Sequence, residues 1–143
     1  MDAMSVDRRL TARLADLLGS REEILEAYLF GSHARGQAQP HSDIDVAVYI
    51  DDARADDTGY GYRAHLTTDL MAGLGSNDVD VVVLNRASPL LYHRVLRDGM
   101  RLLARDLCAT TTREGRAVSR YCDFVPQLAK MEAVRRSVAA RSR

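Results

Sequence analysis

"LFGSHARGQAQPHSDIDVAVYI" (residues 29–50) ends one apolar segment, turns on Gly31-Ser32, and enters a second apolar segment through two acids, Asp43 and Asp45. Residues 43–50 are rich in Val, Ile and Tyr and predict a strand. Carboxylates at the mouth of a buried strand cost free energy unless something positive compensates them. Residues two apart in a strand share a face and lie about 7 Å apart. The two carboxylates can therefore converge on ions lying between them. Hard divalent cations such as Mg²⁺ take oxygen ligands and keep positions open for water and phosphate. Two such ions about 4 Å apart would clamp the attacking and leaving oxygens of an in-line displacement at phosphorus. Asp-x-Asp alone is a weak signal, because acid pairs are common at strand ends for solubility.

Asp80 strengthens it. Residues 79–84, "VDVVVL", form a near-continuous apolar run with one acid, as expected for the centre of a covered sheet. If this strand neighbours the first, Asp80 completes a three-carboxylate cluster, which would repel itself unless cations neutralise it. A third carboxylate could also act as general base toward an incoming hydroxyl. Asp78 competes for the role but precedes the apolar run, in "GSND", and reads as a turn residue. Gly31 after a strand lets a phosphate approach the backbone closely. Ser32 can open a short helix in "SHARG" and grip a phosphate through its N–H and hydroxyl. The chain has no Walker A loop. Arg35 is the only cation between the Gly-Ser pair and the aspartates; it could neutralise a triphosphate or pair with an acid. His33 and His41 read as surface residues.

The surrounding pattern is α/β. Val6, Leu10, Leu14, Leu17 and Leu18 recur at helical spacing over 6–18. Residues 24–30, "ILEAYLF", read as a strand, with a helical alternative open. An acidic loop, "DDARADDTGYG", precedes a helix over 62–73, which Gly73 and Gly75 end. A helix over 89–97 starts at Pro89 and stops at Gly99. "MRLLA" (100–104) reads as a short edge strand. Residues 106–140 read as mostly helical, with Pro126 marking a break or kink. Helices covering a small mixed sheet follow from this order.

Composition narrows the class. A chain of 143 residues with 46% apolar and 28% charged residues fits one domain with a buried core. No apolar run approaches the roughly 18 residues of a membrane span. The N-terminal "MDAMSVDRRLTARL" reads as an amphipathic helix rather than a signal peptide, which points to the cytoplasm. Cys108 and Cys122 are too few for a disulfide scaffold and read as partly buried thiols. The four histidines lack zinc-ligand spacing. Residues 1–100 hold 10 Arg against 16 acids, a net of −6, and residues 101–143 hold 10 Arg+Lys against 4 acids, a net of +6. That asymmetry makes a basic C-terminal face, either a solvated helix or a surface for an acidic partner. Zero net charge and few aromatics argue against direct nucleic-acid binding.

The ordered set of Gly-Ser, ten residues, Asp-x-Asp and a later lone Asp resembles the signature of the DNA polymerase β-like nucleotidyltransferase superfamily. More closely, "GS-x-ARG", "SDID" and "VDVVVLNRASPLLYHRVLRDGMRLLARD" resemble the minimal nucleotidyltransferase (MNT) antitoxins of HEPN–MNT toxin–antitoxin pairs, over about residues 24–106. The resemblance implies a nucleotidyltransferase fold in a single domain over 1–143, with a catalytic core at 24–106 and a helical extension at 107–143. It implies an enzyme that uses ATP and two Mg²⁺ ions to move AMP onto a tyrosine of a HEPN ribonuclease, in a hetero-oligomer. Gly31 and Ser32 would hold the β/γ-phosphates, Asp43 and Asp45 the metals, and Asp80 one metal and the tyrosine hydroxyl. Two alternatives stand beside this: nucleotidyl transfer to a small molecule such as an aminoglycoside, and an antitoxin that blocks its toxin by contact alone.

Overall fold

A computed structural model describes residues 7–54 and 60–141 of the chain. Val6, the expected start of the first helix, and residues 55–59 of the acidic loop lie outside the described residues. Helix α1 (Arg8–Gly19) is capped by Asp7, whose side chain accepts from the Arg9 amide at 2.9 Å and the Leu10 amide at 3.4 Å. Strand β1 (Ile24–Phe30) follows, then β2 (Ile44–Ile50), α2 (Tyr60–Leu74) and β3 (Val79–Val83). A short 3-10 turn over Leu84–Arg86 leads to α3 (Pro89–Asp98), β4 (Met100–Ala104) and α4 (Leu107–Arg141).

The four strands form one sheet in the order β3-β2-β1-β4. β1 is antiparallel to both β2 and β4, while β2 and β3 run parallel, joined across α2. The sheet is therefore mixed, and β4 is an edge strand. Its two faces are covered by different helices because successive side chains point to opposite faces. Leu14 and Leu18 of α1 and Leu66 and Leu70 of α2 pack with Leu29, Val46, Val48 and Val81 on one face. Tyr92 and Val95 of α3 and Ala117 of α4 pack with Tyr28, Phe30 and Ala47 on the other. The near-continuous apolar runs of β1 and β2 follow from this double covering.

One buried charge belongs to the α4 face. Glu26 is fully buried; one carboxylate oxygen accepts from Thr110 at 2.9 Å and from the Arg113 guanidinium at 2.6 and 3.0 Å. Arg113 also lies 4.8 Å over the Tyr49 ring. These contacts fasten the start of α4 to the sheet. The acid in "ILEAYLF" gave no sign of this, because its partners are more than 80 residues away.

Four expectations are corrected. The run "VDVVVL" does not lie at the centre of the sheet: β3 pairs with β2 alone and forms the edge opposite β4, its apolar character following from cover by α2 rather than from strands on both sides. "SHARG" forms consecutive turns rather than a short helix; the segment is closed by bonds from the Arg35, Gly36 and Gln37 amides, and Gly31 and Gly36 hold φ of +74° and +68°. α4 runs unbroken through Pro126. Its surroundings there are exposed, so the carbonyl that loses its amide partner meets water. Cys108 and Cys122 are both exposed rather than partly buried. They lie on α4, whose buried residues are Thr110 and Ala117.

Candidate active site

The mixed topology brings the three aspartates to one end of the sheet. Asp45, second residue of β2, has Phe30 of β1 as its ladder partner on one side and Asp80 of β3 on the other. Paired residues share a face, so Asp45 and Asp80 stand side by side. Asp45 alternates with Ala47 and thus lies on the face covered by α3 and α4. Asp43 sits just before β2 and is exposed; Asp45 and Asp80 are half-buried. Asp78 lies in the loop just before β3, outside the strand. Its amide donates to Ser76 Oγ at 3.2 Å, and its carbonyl accepts from the Ile44 amide at 2.7 Å. That second bond sets the register that places Asp80 beside Asp45.

Gly31-Ser32 follows β1 at this same end. Gly31 needs its missing side chain twice over. Its φ of +74° is the left-handed region, and a Cβ there would meet Asp45 Oδ2 well inside the 3.0 Å limit of real Cβ contacts. The Asp45 carboxylate thus lies directly against the turn. The Ser32 carbonyl accepts from the Gln37 amide at 2.9 Å. Among the described residues, the Ser32 hydroxyl has no hydrogen-bond partner.

The electrostatics reflect the crowding. Burial, then Asp80, then Asp43 push the Asp45 carboxyl above the ordinary carboxylate range, while His33 pulls it down. Asp80 is engaged from the opposite side: Arg63, in the first turns of α2, donates from Nη2 to Asp80 Oδ1 at 2.9 Å. Both side chains are about half exposed, 47% and 50%, so the pair is worth about 0–1 kcal/mol. With Asp80 held by Arg63 and Asp43 turned to solvent, no three His, Cys, Asp or Glu side chains among the described residues are grouped to hold a metal. The acids share one sheet end without converging on one point. Arg35 is exposed, and its charge acts on Asp98 at the end of α3, whose carboxyl is held low chiefly by Arg97.

Two residues passed over in the sequence belong here. His33 is half-buried, not simply a surface residue, and its Nε2–H donates to the Ser42 carbonyl at 3.3 Å, tying the turn to the segment that carries Asp43. Arg63 carries no local signal. A carboxylate cluster needs counter-charge, but ten arginines precede residue 101, and only the packing of α2 singles this one out.

This arrangement, a glycine-serine turn against a carboxylate pair on adjacent strands of a small mixed sheet, defines a class. The chain belongs to the Polymerase beta nucleotidyltransferase family, whose match spans residues 12–107. Among individual proteins, it is similar to the protein adenylyltransferase MntA of Shewanella oneidensis, with 40% identity over 75 residues, 52% of this chain and 50% of that protein. The chain thus spans about half the length of the curated relative it matches. It is also similar to a chain in the crystal structure of a toxin–antitoxin with AMP-PNP, at 28% identity and a TM-score of 0.72, covering 87% of this chain and 97% of that one. A chain from the complex of tri-AMPylated Shewanella oneidensis HEPN toxin with MNT antitoxin is 27% identical, with a TM-score of 0.68 and coverage of 90% and 98%. Among the described residues, no helix is long and apolar enough to cross a membrane.

Proposed function

We propose that this chain is a Mg²⁺-dependent protein adenylyltransferase that moves AMP from ATP to a tyrosine hydroxyl of a cognate HEPN ribonuclease and so acts as its antitoxin. The observation that carries this reading is the contact of Gly31 with the Asp45 carboxylate while Asp45 stands beside Asp80. A turn suited to gripping phosphate lies against one carboxylate, and a second stands beside it on the neighbouring strand. The likeness to MntA and to MNT–HEPN complexes supplies the acceptor.

The donor set suits a hard cation: all three candidate ligands are carboxylates, and their mutual repulsion at Asp45 is what a divalent ion would relieve. Asp43 and Asp45 would hold it, with Asp80 joining them. Bound Mg²⁺ supplies charge neutralisation at the triphosphate and at the developing transition-state charge. Gly31 and Ser32 would hold the β- and γ-phosphates, the turn offering close backbone approach and an unengaged hydroxyl, and Arg35 would add positive charge nearby. Asp80 would accept the tyrosine proton as the tyrosine oxygen bonds to the α-phosphorus and the bond to pyrophosphate breaks. Residues 24–106 form the catalytic core in this reading, and 107–143 an extension of the same domain. A reaction drawing on ATP belongs to the cytoplasm.

A protein acceptor accords with the surface of α4. Met131, Val134 and Val138, spaced i, i+3, i+7 on one face of α4, are 55–62% exposed. Exposed apolar residues in series mark an interaction surface. Single turnover with labelled ATP and the purified partner tests the reading. Asp43→Asn, Asp45→Asn and Asp80→Asn should each lower the rate at least about a hundredfold while leaving the circular dichroism spectrum unchanged. Wild-type labelling by any of them would remove that residue from the site.

A further inference from the structure

Arg63 is the only cation hydrogen-bonded to any of the three aspartates among the described residues. It sits in the first turns of α2, immediately after the acidic loop, and reaches the edge strand β3 to bind Asp80 Oδ1 at 2.9 Å. We propose that Arg63 is a positioning residue: it holds Asp80 in the cation's stead and exchanges that carboxylate for the triphosphate when nucleotide and cation arrive together. This rests on the reading of Asp80 as a metal ligand.

The geometry gives three reasons. First, Asp80 stands beside Asp45 in the parallel ladder, so the carboxylate that Arg63 occupies is the one that must turn toward Asp45 to close a metal site. Second, the ion pair is half exposed on both sides, so it opens readily; an exposed pair of this kind shifts an equilibrium by about two- to fivefold. Third, a guanidinium has five donors and no acceptor, in a planar fork that fits phosphate as well as carboxylate. A released Arg63 therefore has no partner when a cation binds alone, and has one when the cation brings a triphosphate. The two ligands should favour each other's binding, and Arg63 should carry part of that coupling.

The test uses the full chain and isothermal titration calorimetry. Mn²⁺ alone should bind Arg63→Gln about two- to fivefold more tightly than wild type. AMP-PNP titrated in the presence of Mn²⁺ should bind Arg63→Gln more weakly than wild type. Arg63→Lys, which keeps charge but loses the fork, should stay near wild type for Mn²⁺ and fall toward Arg63→Gln for AMP-PNP. A residue that merely buttresses α2 would weaken both ligands together. Unchanged or weaker Mn²⁺ binding by Arg63→Gln overturns the proposal. Asp80→Asn separates the two levels: if it weakens Mn²⁺ binding while Arg63→Gln fails to strengthen it, the exchange is wrong and the metal site stands. If Asp80→Asn binds Mn²⁺ like wild type, the assignment of Asp80 falls, and the exchange with it.

Discussion

Replacing Gly31 with alanine perturbs the one contact on which the turn and the carboxylates depend. Two effects follow from the geometry. A residue with a Cβ held at φ +74° costs about 1–2 kcal/mol. The added methyl would also fall well inside 3.0 Å of Asp45 Oδ2, so the carboxylate must retreat by roughly 1 Å to restore ordinary contact. A displacement of that size in a reacting constellation costs about a hundredfold in rate. The stability loss is modest beside the 5–15 kcal/mol typical of a domain, so Gly31→Ala should remain folded. Urea unfolding followed by circular dichroism should thus show a loss of about 1–2 kcal/mol. Single-turnover AMP transfer by the same preparation should fall about a hundredfold. A variant that loses the stability but transfers AMP within a few-fold of wild type would refute the reasoning, because the turn would then not set the position of Asp45.

Arg113→Met leaves Glu26 buried with Thr110 as its one remaining partner, and should cost about 3–5 kcal/mol in urea unfolding, with Glu26→Gln added to Arg113→Met recovering part of the loss; a cost under about 1 kcal/mol would mean the pair does not fasten α4. The Asp45 carboxyl is raised, so its ionised form is the less stable one in the fold: its contribution is fully present below the ordinary value near 4 and lost as pH rises through the raised one. Asp45→Asn should therefore melt at a higher temperature than wild type at pH 7 without divalent cations, the gap closing as the pH falls toward about 4; a lower melting temperature at pH 7 contradicts the cause assigned. Met131→Glu with Val134→Glu, on the exposed stretch of α4, should weaken binding of the HEPN partner about tenfold or more by surface plasmon resonance while leaving the melting temperature unchanged. Unaltered binding would place the partner elsewhere.

The strands were legible because their apolar runs are long and interrupted by few charges: β1 and β4 fall on the residues their composition predicts, and β2 differs by one residue, Asp43. Gly31 and Ser32 were legible as a turn, although the helix expected after them was not formed. Four residues flanked by two glycines at positive φ are better served by turns. Register was out of reach. That Asp80 stands beside Asp45, and not one residue above or below, depends on the bond from Ile44 to Asp78 across the parallel pair. Arg63 and Glu26 were hidden for the same reason: each acquires its meaning from a partner brought close by packing, 17 residues away in one case and more than 80 in the other. The break expected at Pro126 does not form, because a proline is costly where the lost carbonyl partner is buried, and α4 is exposed there.

The most direct measurement is the intact mass of the HEPN partner after incubation with this chain, ATP and Mg²⁺. The wild-type chain should raise the partner's mass by whole AMP units, an increase lost when the partner's acceptor tyrosine is changed to phenylalanine and absent with Asp43→Asn or Asp45→Asn. A partner whose mass stays constant with the wild-type chain, while its ribonuclease activity is still suppressed, would contradict the account.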